Sequence, residues 1–155
     1  MPCMGDTDDA TPEHRVLGLD YGERRIGVAL SDPLGLTAQP HSTLERTSLD
    51  ADLGVLADLV RRHGVRRVVI GLPLSLKGER GERARAAEGF GRRLARASGV
   101  PVEAWDERLT SVQAERALLE ADLRRSRRRE VIDRAAAVLI LQSWLDAHPD
   151  RGDGP

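Results

Sequence analysis

Apolar positions fall into short runs and helical repeats along the chain, and their order predicts an architecture. RVLGLDY and RRIGVALSD are apolar runs separated by a Tyr21-Gly22-Glu23 turn, the pattern of a hairpin. GLTAQPHSTLER supplies a third strand, and Pro40 confines it to a sheet edge or a bulge because proline cannot donate to a ladder. From Ser48 to His63, Leu49, Leu53, Leu56, Leu59 and Val60 recur at helical spacing, and Gly64 follows as the stop. RRVVIGLP is nearly all apolar, as a strand covered on both faces must be. Glu79 to Ala97 reads as a charged helix ended by Ser98-Gly99, and VPVEAWDE as a strand. LTSVQAERALLEADL reads as a helix capped by Thr110 or Ser111. After the basic RRSRRR segment, EVIDRAAAVLILQSWLDA forms a final apolar helix. A three-strand meander followed by alternating helices and strands predicts an α/β fold, a mixed sheet covered by helices.

Composition narrows the function. A chain of 155 residues suits one domain. Polar, proline-punctuated residues 1–14 and residues 149–155 read as tails around a domain at 15–148. Aromatic residues make up only 3%, which leaves little material for base-stacking platforms and argues against a pure binding module. The net charge of −1 hides an uneven distribution: acids gather in GDTDDATPE, arginines in RRHGVRR and LRRSRRRE. Lys77 is the only lysine, so coding bias and local phosphate binding both account for the arginines. Cys3 is the only cysteine, which excludes an intrachain disulfide. No apolar run approaches the roughly 20 residues that span a bilayer, and the acidic start does not resemble a signal peptide. A cytoplasmic protein without membrane contact is the expectation.

Three acidic positions stand out by context. Asp20 ends the first strand, Asp106 and Glu107 follow VEAW, and Asp133 sits in the first turn of the final helix beside Ala135, Ala136 and Ala137. Open sheets place ligands beyond the carboxyl ends of parallel strands. Asp20 and Glu107 would share that edge if their strands were parallel neighbours, and a returning helix would bring Asp133 near. Clustered carboxylates need compensation, and the usual source is a hard divalent cation, Mg²⁺ or Mn²⁺. Two such ions about 4 Å apart would activate water and stabilise a leaving oxygen. Each acid also has an ordinary reading: Asp20 as a turn cap, Glu107 or Asp106 as ion-pair partners of Arg108, and Asp133 as a favourable charge at a helix N-terminus. Among the histidines, His14 lies in a tail and His63 and His148 end helices. Only His41 lies near the sheet as a candidate base.

LGLDYGERRIGVALSDPLGLTAQP, VVIGLPLSLKGERGERA, WDERLTSVQAE and IDRAAAVLILQSWLD together resemble the YqgF family. That family is described as Holliday junction resolvases of ribonuclease H-like fold and as nucleases for the 5′ end of precursor 16S ribosomal RNA. The resemblance spans about Arg15 to Asp146 and implies a five-stranded mixed sheet with the second strand antiparallel. It implies Asp20, Glu107 and Asp133 as the metal-binding catalytic carboxylates, with two Mg²⁺ or Mn²⁺ ions. Gly71 and Pro73 of GLPLSLKG would shape a loop beside the site, where Lys77 departs from the more usual acid or amide. Arg24, Arg25, Arg108, Arg124, Arg125, Arg127, Arg128 and Arg129 are the candidate phosphate contacts, since guanidinium forks suit phosphate oxygens. RNA is the favoured partner and branched DNA the alternative, and a monomer or a homodimer would serve.

Two other classes compete. Actin-like ATPases and sugar kinases open with a similar strand–Asp–Gly–strand unit, but they need two such domains and this chain has room for one. No GxxxxGK[ST] loop occurs either. A non-catalytic ribonuclease H-like module that binds RNA or a ribosomal partner is the second, and the retention of all three acids weighs against it.

Overall fold

The two runs flanking Gly22 form β1 (Arg15–Tyr21) and β2 (Arg25–Ser31), paired antiparallel with Asp20 opposite Gly27. The computed structural model describes residues 15–73, 81–107 and 125–149, the first seven of the last stretch by their backbone alone. Strand β3 (Ala38–Glu45) continues the meander on the free side of β2. Its register slips between Val28 and Ala29, which pair with Ser42 and Pro40, so His41 is the extra residue of a bulge. Pro40 is therefore both at a sheet edge and in a bulge.

Helix α1 (Leu49–Arg62) follows, with Ser48 accepting from the amide of Ala51 as N-cap and Gly64 turning out with φ 63°. Strand β4 (Val65–Leu72) runs parallel to β1, and β5 (Val102–Asp106) parallel to β4, with α2 (Glu82–Ser98) between them in sequence. Helix α3 (Arg125–Ala147) closes the described chain. The five-stranded sheet has the order β3-β2-β1-β4-β5, with β2 alone antiparallel to the rest. None of the described helices is long and apolar enough to cross a membrane.

Alternation assigns the two faces of the sheet. Leu17, Leu19, Ile26, Val28, Val68 and Ile70 join Leu56, Leu59, Phe90 and Leu94 in the core beneath α1 and α2. Val16, Ala29 and Val69 meet Ala136, Ala137, Ile140, Leu141 and Trp144 of α3 on the opposite face. Glycine and alanine dominate where α3 crosses: a Cβ on Gly18 would come within 2.6 Å of the Leu141 Cβ. Small residues on both sides let the helix backbone lie close to the strands.

Two expectations need correction. Helix α3 begins at Arg125, so Arg125, Arg127, Arg128 and Arg129 belong to its first two turns and Asp133 to its third. Arginine is among the better helix formers, and the basic segment simply extends the helix. Helix α2 begins at Glu82, not Glu79. The helix expected around LTSVQAERALLEADL lies outside the described residues.

Candidate active site

Asp20, Gly27 and Gly71 share one level of the sheet. Asp20 pairs with Gly27 on β2, and the parallel register of Leu19 with Ile70 continues to set Gly71 beside Asp20. Asp20 thus stands between two strands that carry no side chain at its level. Those places are taken from elsewhere. A Cβ on Gly27 would collide with the Asp133 carbonyl oxygen and lie 3.1 Å from the Asp133 Cβ. A Cβ on Gly71 would lie 2.9 Å from Glu107 Oε2 and 3.1 Å from its Cγ. Asp133 is therefore held over β2 and the Glu107 carboxyl over β4, each about one 4.8 Å strand spacing from β1.

The strands that lead to Asp20 and Glu107 are parallel but not neighbours. Strand β4 lies between β1 and β5, and Glu107 reaches across its glycine. Asp106, one residue earlier, falls on the other face by alternation.

Asp20 and Glu107 are only 5% and 6% exposed, Asp133 is half-buried, and all three take part in polar or electrostatic interactions within the fold. The donors are all carboxylate oxygens, the set that suits Mg²⁺ or Mn²⁺ and not a soft metal. Among the described residues, no three acidic, histidine or cysteine side chains are gathered closely enough to form a ready-made metal cage.

The candidate phosphate contacts divide into groups. Arg24 is exposed in the hairpin turn beyond Asp20, while Arg25 pairs with Glu45 at 2.9 Å. Arg125, Arg127, Arg128 and Arg129 occupy the start of α3, one to two turns before Asp133. Pro73 directly follows β4. Lys77, Arg108 and Arg124 lie outside the described residues.

Arg46 was not singled out by spacing, yet it staples the turn after Asp20. Its Nη1 donates to the Tyr21 hydroxyl at 2.7 Å and the Gly22 carbonyl at 3.2 Å, and its amide donates to Arg24 O at 2.9 Å. Its Nε donates at 3.0 Å to Asp52, which is 1% exposed and also accepts from the Thr47 amide. The guanidinium lies 4.7 Å from the Tyr21 ring centre. Burial lowers the Arg46 pKa, but bonding to Asp52 and Tyr21 outweighs it and the net shift is upward. Arg46→Met leaves the Asp52 carboxylate in the core without this partner. A loss of about 2 kcal/mol is expected in chemical denaturation, below the usual cost of breaking a fully buried pair because the guanidinium keeps some water.

His41 lies on the α1 side, its ring edge-on to His63 with centres 5.2 Å apart. The sheet separates it from the Asp20 level, so the candidate base is not brought to the acids. Burial lowers its pKa from 6.5, and His63 and Arg62 lower it further. A depressed histidine pKa means the unfolded chain binds more protons, so the contribution is full above pH 6.5 and fades as pH falls below it. Melting temperature is expected to drop from pH 7 to pH 5.5, and His41→Gln to reduce that drop.

Comparison with known proteins shows the family and the fold. A family model described as "RuvX: Holliday junction resolvase" matches residues 14–147. A relative from Myxococcus xanthus named "Putative pre-16S rRNA nuclease" is 58% identical over 134 residues, covering 86% of this chain and 89% of the relative. Another of the same name from Symbiobacterium thermophilum is 55% identical, covering 88% and 95%. Among solved structures, Thermus thermophilus RuvC in complex with Holliday junction substrate superposes with a TM-score of 0.59 over 89% of this chain and 97% of that one. At 15% identity that likeness speaks to the fold alone, and the fold is the ribonuclease H-like one predicted.

Proposed function

We propose, from the premise that this chain belongs to the RuvX family, that it is a metal-dependent nuclease acting on precursor 16S ribosomal RNA. The observation that carries the reading is the arrangement around Asp20. Two glycines flank the carboxylate, and Asp133 and Glu107 are brought over them from elements far apart in sequence. A turn cap needs none of this convergence.

Asp20, Glu107 and Asp133 would hold Mg²⁺ or Mn²⁺, two ions being the expectation. A cation bound there would polarise the scissile phosphate and lower the pKa of an attacking water. The chain's own tasks are to bind, orient and exclude. Buried Asp20 and Glu107 present fixed oxygens with little rearrangement, and no side-chain nucleophile is required. Arg24 in the hairpin turn and the arginines opening α3 would take the sugar-phosphate backbone, positioning it without reading its sequence. Such a protein would work in the cytoplasm, as a monomer or a homodimer.

The family description keeps a second reading in play, a resolvase cutting branched DNA. The test offers the protein a labelled RNA carrying the 16S precursor 5′ leader and, separately, a four-way DNA junction, each with and without Mn²⁺. Metal-dependent cutting of RNA alone is expected. Cutting of the junction alone would shift the substrate to DNA, and cutting of neither by folded protein would leave a binding module.

A further inference from the structure

The partners of Arg46 lie in the turn that follows Asp20 and in the two helices behind it. Arg46 leaves β3 just after Glu45 and stands two residues before the Ser48 cap of α1. Its amide carries the β2–β3 pairing one step further, to the Arg24 carbonyl. Its Nη1 bridges the Tyr21 hydroxyl and the Gly22 carbonyl, and its Nε is held by Asp52 of α1. The guanidinium, the Tyr21 ring and the Phe90 ring of α2 pack mutually, with centres 4.7, 4.9 and 5.5 Å apart. Strand end, turn and both helices therefore meet at one side chain, which is only 17% exposed.

This bracket stands directly behind a catalytic candidate. Side chains alternate along β1, so Tyr21 packs into the core beneath α1 and α2 while Asp20 takes the α3 face. Arg46 thus acts on Asp20 through the main chain and not by touching the acids. Held at its ring, at its hydroxyl and at the next carbonyl, Tyr21 leaves the preceding residue little freedom. The direction of the Asp20 side chain is set with it. Stability alone is a weak reason for the arrangement. Asp52 is 1% exposed, and a buried ion pair often does no better than apolar residues of similar volume. An apolar pair could fill the space, but it could not donate to the Tyr21 hydroxyl and the Gly22 carbonyl together.

We propose that Arg46, oriented by Asp52, is a positioning residue for Asp20: it fixes the end of β1 so that the carboxylate meets a cation without rearranging. The inference rests on the nuclease reading and deepens it. Metal affinity and the rate of hydrolysis then depend on Arg46 beyond its effect on stability. RNA affinity does not, because Arg46 faces away from the edge where the acids stand.

The test separates positioning from stability by removing both charges at once. Arg46→Met alone strands the Asp52 carboxylate. Arg46→Met combined with Asp52→Asn leaves no buried charge, and the side-chain amide oxygen still accepts from the Thr47 amide. The double variant is therefore expected to recover most of the melting temperature lost by the single one. Free Mn²⁺ is followed by electron paramagnetic resonance, single-turnover cleavage at saturating RNA, and RNA affinity by anisotropy in EDTA, all well below the melting temperature. In the double variant Mn²⁺ binding is expected to weaken about tenfold and cleavage to slow about thirtyfold, within the hundredfold that a 1 Å misplacement can cost. RNA affinity is expected to stay unchanged. Tyr21→Phe, which deletes one acceptor of Nη1 and keeps the ring, should act in the same direction by about threefold and serves if the double variant does not fold. A double variant of restored stability with wild-type Mn²⁺ affinity and cleavage rate would overturn the proposal. A rate loss matched by an equal loss of RNA affinity would also overturn it, making Arg46 a substrate contact. Weakened Mn²⁺ binding in a protein that cuts no RNA would uphold the positioning role and sink the nuclease reading.

Discussion

An Asp20→Asn protein is expected to lose at least about a thousandfold in RNA hydrolysis, roughly 4 kcal/mol of transition-state stabilisation, yet to melt near the wild-type temperature without metal. The substitution keeps the shape of a side chain that is 5% exposed and removes its charge. With Glu107 and Asp133 held over the adjacent strands, the metal-free protein gathers negative charge in a poorly solvated place, and losing one charge relieves that repulsion. In Mn²⁺ the order reverses. The wild type gains stability by mass action because only the folded chain brings these acids to one edge of the sheet, and the variant gains less. Single-turnover cleavage and thermal melts with and without Mn²⁺ check both halves. A marked loss of stability in EDTA would instead make Asp20 a structural cap of the hairpin turn.

Much of this frame was legible because local signals agree with the tertiary ones. The apolar runs either side of Gly22 can hardly be anything but a hairpin, and Pro40 forces its strand to an edge. The nearly all-apolar VVIGL betrays a strand covered on both faces, and β4 has a core cluster on each side. The edge carrying Asp20 and Glu107 could be read because strand ends and acids coincide in the sequence. The order of strands could not, since nothing local says that β4 lies between β1 and β5. The start of α3 is less legible for a different reason: a run of charge carries no apolar periodicity, while the backbone preference of arginine is helical. Arg46 escaped altogether. Its partners Tyr21, Gly22 and Asp52 come from two other elements, and its position just before a helix cap carries no periodic signal. Gly27 and Gly71 look like ordinary strand glycines until α3 and Glu107 are laid over them.

Gly27→Ala is expected to damage both the fold and the chemistry. The added Cβ meets the carbonyl oxygen of Asp133, a backbone atom that no rotamer change can move aside. Either β2 or α3 must retreat, and α3 is bound to the sheet through Ala136, Ala137, Ile140 and Leu141, all at most 1% exposed. Overpacking of this kind costs about 3 kcal/mol. That corresponds to a fall of about 10 °C in melting temperature for a domain of this size. The chemical effect should exceed what the lost stability explains. A shift of about 1 Å in a positioned group can lower a rate about a hundredfold, and Asp133 is carried by the very turn of α3 that must move. Gly54→Ala supplies the comparison. Gly54 is exposed in α1 with nothing within 4 Å of an added Cβ, so that change is expected to be neutral or to stabilise the helix by up to about 1 kcal/mol. Cleavage assayed well below the melting temperature of each protein separates the two effects. A Gly27→Ala protein as stable and active as Gly54→Ala would mean that α3 does not press against β2 at Asp133, and the convergence of the three acids would fall with it.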